Sequence, residues 1–184
     1  MKSHFAFLAT MVFAGAACGS DAPTPDPKLE ALATAPRLTG DDPHWILDAS
    51  SGCWVFDGYP SARETATWSG PCKDKIASGV GTVTWYLAGK RDETRSGPFL
   101  LGSLNGHGTA TMSDGSTYEG EWVYGARFGF GVLKRANGDI YQGMWPGSGT
   151  YTRPDGRTCA AQARRHGEAV VIDAPCATGI WASH

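Results

Sequence analysis

The sequence predicts an all-β protein made of antiparallel hairpins stacked side by side. Three observations carry this. The 184 residues include 25 glycines and 7 tryptophans, and each glycine inside a helix would cost roughly 1 kcal/mol. Tyr118, Gly120 and Trp122 recur as Tyr141, Gly143 and Trp145, an offset of 23 residues. Asp114-Gly115, Asn137-Gly138 and Asp155-Gly156 recur between the apolar stretches as turn signals.

The offset extends backwards. Gly120 maps to Gly97, Trp122 to Phe99, Gly125 to Gly102, Gly129 to Gly106, Gly131 to Gly108 and Gly138 to Gly115. An earlier unit begins at Trp68 and Gly70, with Cys72 in the Trp122 place and Gly79 and Gly81 in the Gly129 and Gly131 places. In the unit from Tyr141, six residues between Trp122 and Gly129 contract to the single Pro146 between Trp145 and Gly147. The segment 159–176 starts where a further unit would start, with Cys159 in the Tyr place, and reads as a degenerate cap. The expected domain spans 44–184, with units near 68–94, 95–117, 118–140 and 141–158.

Alternation along a strand sorts these residues by face. Tyr118, Gly120 and Trp122 share one face, with Glu119 and Glu121 on the other; Gly129, Gly131 and Leu133 share a face on the returning strand. A glycine lets a neighbouring ring lie directly over backbone. The pattern predicts rings nested on glycine shelves, Gly125 in a tight hairpin turn, and positive φ at Asn137-Gly138. Glycines 70, 97, 120, 129, 131, 138 and 143 (Gly70, Gly97, Gly120, Gly129, Gly131, Gly138 and Gly143) are the expected repeat glycines.

These residues resemble the MORN repeat family, whose unit is close to YxGxWxxGxxxGxGxxxxxxG. The unit 118–140 fits at every one of those positions, and the resemblance extends roughly from Cys53 to Cys176. It implies one β-hairpin per repeat and an elongated, curved antiparallel sheet. The opening "GCWVF…TATWSGPC" also looks like the cysteine-bounded start of bacterial proteins of this family.

The N-terminus reads as a targeting segment. One lysine precedes the apolar run "AFLATMVFAGAA", which is too short to span a bilayer. Ala14-Gly15-Ala16 fits the small-x-small rule of ordinary secretion. "GAAC" resembles the bacterial lipoprotein lipobox, in which Cys18 is acylated, with Gly15 where leucine is usual. Of five cysteines, lipidation of Cys18 leaves an even set: Cys53, Cys72, Cys159 and Cys176. Four cysteines allow three connectivities, and proximity predicts Cys53–Cys72 and Cys159–Cys176. Each bond would stabilise by about 2–4 kcal/mol. Residues 18–43, rich in Pro, Ala and acids, read as a disordered tether. Resemblance to Gram-negative lipoproteins implies outer-membrane retention facing the periplasm, because Gly19 rather than Asp follows the cysteine. A soluble periplasmic or secreted protein is the alternative.

Charge and motifs narrow the function. From His44 onward 13 acids balance 13 bases, so there is no basic footprint for nucleic acid and little attraction to anionic lipid. Membrane attachment is expected from the lipid on Cys18. No CxxC spacing points to a metal, and the Gly-x-Gly pairs lack the third glycine and helix of a phosphate loop. His107 fills a slot that Val80 and Phe130 hold in other units. His166, near Glu168, sits in an expected turn; a hydrolase working from there is the weakest reading. The sequence therefore predicts no enzyme and no cofactor, but a scaffold that binds an unknown protein or cell-envelope partner. The expected contact face is the aromatic row Trp68, Phe99, Tyr118, Trp122, Tyr141 and Trp145. An envelope-polysaccharide module, binding peptidoglycan through the same rings, is the alternative.

Overall fold

The computed structural model describes residues 42–166, 169–176 and 181–183. The expected leader, Cys18, most of the expected tether and Glu168 lie outside them. Among the described residues there is no helix. A small sheet holds β1 (Trp45–Asp48), β2 (Cys53–Phe56), β4 (Cys72–Lys73) and β5 (Ile76–Ala77), in the order β1-β2-β5-β4.

The large open sheet starts at β3 (Glu64–Trp68), β6 (Gly79–Leu87) and β7 (Lys90–Leu100), with the short β8 (Ser103–Leu104) paired to β7. It continues through β9 (Gly106–Met112), β10 (Thr117–Val123), β11 (Ala126–Lys134) and β12 (Ile140–Trp145). It ends with β13 (Gly147–Thr152), β14 (Thr158–His166), β15 (Ala169–Asp173) and β16 (Trp181–Ser183). Neighbours are antiparallel, and from β9 to β16 spatial order follows chain order.

Turn chemistry explains the regular meander. Tyr124 and Gly125 both have positive φ, 47° and 79°, the requirement of the two-residue hairpin loop whose twist matches its strands. The alternate turns use a side chain instead. Asp114, Asn137 and Asp155 each accept, through Oδ1, the N–H two residues on, from Ser116, Asp139 and Arg157. The following glycine takes positive φ, 88° at Gly138. The sequence expectation at Asn137-Gly138 thus holds at the glycine.

The rings do lie on glycine shelves. The Tyr118 ring covers Gly131, the Tyr141 ring covers Gly149, and the Trp68 ring covers Gly70 and Gly81. A Cβ at Gly120 would sit 2.6 Å from both the Gly131 Cα and the Tyr118 Oη. Register places Gly120 opposite Gly131 on one side and Gly108 on the other, so backbone and ring share a space no side chain can enter. The ends are stapled as expected, by Cys53–Cys72 and Cys159–Cys176. The small sheet is bound to the start of the large one by the Trp68 N–H, which donates to Asp48 Oδ2 at 3.0 Å, and by the Phe56 N–H, which donates to the Gly102 carbonyl at 3.0 Å.

Gly120→Ala is expected to destabilise by about 1–3 kcal/mol through overpacking. Gly58, with open space around its Cβ position and no positive φ, is the control. Gly58→Ala should stabilise by about 0.4–1 kcal/mol. Denaturant unfolding of both variants checks the contrast.

Candidate functional site: two faces of one sheet

The burial of β10 alternates strictly: Tyr118, Gly120 and Trp122 are buried, while Thr117, Glu119 and Glu121 are exposed. The same rule runs through β12, where Tyr141, Gly143 and Trp145 are buried. The expected exposed aromatic row is corrected by this packing. Trp68, Phe99, Tyr118, Trp122, Tyr141 and Trp145 are all interior, none more than 5% exposed. They form the core of a sheet that has no second layer over most of its length.

The rings are connected edge to face. Tyr118 meets Trp122 at 5.1 Å and Trp145 at 5.3 Å between centroids, and Tyr141 meets Trp145 at 5.0 Å. Two indoles and one phenol of the row find acceptors within the sheet. Trp122 Nε1 donates to the Gly108 carbonyl at 3.1 Å and Trp145 Nε1 to the Gly131 carbonyl at 3.4 Å. Tyr141 Oη lies 2.9 Å from the Gly147 carbonyl and 3.0 Å from that of Met144. Burial pushes the Tyr118 phenol up to about 12, so it stays a neutral packing group at any ordinary pH.

One part of the core is charged, which the sequence reading missed. Arg95 occupies the Tyr place of its unit, 23 residues before Tyr118. Its guanidinium lies 4.8 Å from the Trp85 ring centroid and 5.2 Å from that of Trp122. Glu93 holds it bidentately, with Nε–Oε1 at 2.9 Å and Nη2–Oε2 at 2.7 Å. Arg127 is buried beside it, 4.9 Å from the Tyr118 centroid and 5.5 Å from that of Trp145. Burial lowers the Arg127 guanidinium to about 10, and the Arg95 charge adds to this against the opposing pull of Glu93. For Arg95 burial acts downward, but the Glu93 carboxylate outweighs it and the net direction is up. Extending the 23-residue offset to the Tyr place would have exposed Arg95. Arg127 carries no such signal, because its slot is Leu104 one unit earlier.

Glu64, at the start of β3, is the most perturbed carboxyl group. Burial, with help from the Asp57 and Asp92 carboxylates, raises it to about 7, although the Ser61 N–H donates to it at 2.9 Å. Among the described residues no group of three or more His, Cys, Asp and Glu side chains is arranged to hold a metal. His107 is exposed on the outward face, opposite Glu121. The His166 side chain lies outside the described residues.

The outward face differs in character. Phe128, Phe130 and Met144 are 39%, 51% and 47% exposed. Phe130 and Met144 are direct cross-strand partners. Glu119 and Glu121 project from the adjacent β10 on the same side.

A hairpin array in which each unit packs its rings on its neighbours defines a repeat architecture. Residues 99–117, 118–140 and 141–156, three consecutive segments, each match the MORN repeat. No curated protein matches the sequence. MORN repeats are generally non-catalytic modules that bind proteins or membranes. The two disulfides point to an oxidising, exported environment.

Two outcomes follow. Trp122→Ala is expected to cost about 3–5 kcal/mol, because the ring is core, and a lower denaturation midpoint will show it. Glu64 sets a pH dependence. Its folded pKa of about 7 lies above its ordinary value of 4.5, so between these the folded state holds a proton the unfolded chain lacks. Its contribution is fully present below about 4.5 and is lost as pH rises to about 7. Glu64→Gln should flatten the melting temperature across that window.

Proposed function

We propose that this protein is a non-catalytic scaffold of the bacterial cell envelope that binds a protein partner through the sheet face opposite its rings. It is exported by its leader and held at the outer membrane, facing the periplasm, by acylation of Cys18. The observation that carries the reading is the division of the sheet. The rings are consumed by packing, whereas the outward face keeps large apolar side chains in water at Phe128, Phe130 and Met144. Monomeric surfaces seldom leave contiguous apolar groups uncovered without a binding role. The disulfides support export, and the even cysteine count left after Cys18 supports its acylation.

Photo-crosslinking tests the face. A photoreactive residue at Gln142 or Thr150, both exposed on the outward side, is expected to yield a protein adduct in intact cells. Recovery on purified peptidoglycan without any protein adduct would replace this reading with the polysaccharide one. The anchor is tested separately. Cys18→Ser should release the protein from the membrane fraction, and retention there would refute lipidation.

A further inference from the structure

We infer that the outward surface of 118–140, the third repeat counted from Trp68, receives a protein segment carrying apolar side chains next to lysine or arginine. This rests on the scaffold reading and specifies the partner's chemistry. The geometry begins with a register shift. Gly120 pairs with Gly131, but Trp122 pairs with Arg127. Glu121 alone therefore stands opposite Phe128, Gly129 and Phe130. Gly129 has φ 66°, the left-handed conformation expected of a glycine bulge. Both flanking phenylalanines stay on the outward face, alternating with the buried Arg127 and Gly131, and both are exposed.

The positive φ of this glycine is common to the repeats, but the side chains beside it are not. The first glycine of each Gly-x-Gly has positive φ: Gly79 at 85°, Gly106 at 110° and Gly147 at 148°. Their flanking pairs are Ser78 and Val80, Asn105 and His107, and Pro146 and Ser148. Only the third repeat places two large aromatic rings there, and Met144 lies directly across from Phe130. Packing does not require the exposed phenylalanines, since smaller or polar residues fill the same slots elsewhere.

Charge selects the occupant. Glu119 and Glu121 flank the apolar group from β10, and the ion pairs of the described residues include neither. The Glu121 Cβ lies 3.5 Å from where a Gly129 Cβ would stand, so the Glu121 side chain starts at the edge of the patch. An apolar patch edged by two carboxylates favours cationic partners and repels anionic lipid or acidic peptide.

The test uses the full chain in non-ionic detergent and two fluorescein-labelled peptides of equal length. One alternates lysine and leucine; the other alternates glutamate and leucine. Anisotropy is expected to report binding of the first only. Phe130→Ser should weaken it roughly tenfold, as loss of an aromatic anchor does. Glu119→Gln with Glu121→Gln should weaken it several-fold and reduce its salt dependence. Unchanged melting of each variant is required for these losses to count in favour. Equal binding of both peptides, or indifference to Phe130→Ser, overturns the inference. Self-association that Phe130→Ser abolishes, without peptide binding, also overturns it, in favour of a second copy of this chain. A crosslinked envelope partner that persists with Phe130→Ser overturns it too, and leaves the scaffold reading standing.

Discussion

Everything in this molecule depends on rings lying flat against strands that have no side chains beneath them. A single sheet ordinarily exposes both faces, and a lone hairpin is barely stable in water. Here Tyr118 and Tyr141 fold down over glycines, so the layer that covers the sheet is supplied by the sheet itself. The arrangement needs glycines on adjacent strands in matched register, as at Gly108, Gly120, Gly131 and Gly143. Repetition at a fixed period follows from that need. A slip of one residue would turn every ring to the wrong face.

The same constraint divides labour between the faces. Inward positions are fixed by ring-on-glycine packing and cannot vary freely. Outward positions are less constrained, and one slot varies from His107 to Phe130 to Ser148. Specific recognition therefore has its freedom on the outer side. The charged interruption at Glu93, Arg95 and Arg127 is an inward exception. It survives because each guanidinium has aromatic faces beside it and Glu93 is bidentate to Arg95. Removing Glu93 alone would leave buried positive charge poorly compensated.

Much of the fold was legible in the sequence because its causes are local. Strand alternation, turn chemistry and glycine spacing name the hairpins, the face of each residue in β10 and β12, and the disulfide pairing. The exposure of the aromatic row was misjudged for a physical reason. Alternation tells which residues share a side, but not whether that side is wet. In a sheet with no covering layer, wetness depends on whether the rings reach their neighbours' glycines. That is settled by ring angles and register, as at Tyr118 over Gly131. Phe128 and Phe130 alternate with Gly129, Gly131 and Leu133, so their outward side was legible, but how much of each ring stays in water was not. Arg127 and Glu64 act through neighbours distant in sequence, so only the folded chain brings them together.

The tryptophan hydrogen bonds have a direction. Trp122 donates back to Gly108, and Trp145 donates back to Gly131, each 14 residues earlier in the chain. No repeat in this run waits for a later one to satisfy its indole. A polypeptide threaded out of its synthesis machinery, N-terminus first, finds each docking carbonyl already in place. The array can thus lengthen as it emerges, with the Cys53–Cys72 end as its foundation and the Cys159–Cys176 bond as its closing clasp. Each indole of this run is thus anchored on a strand that precedes it in the chain.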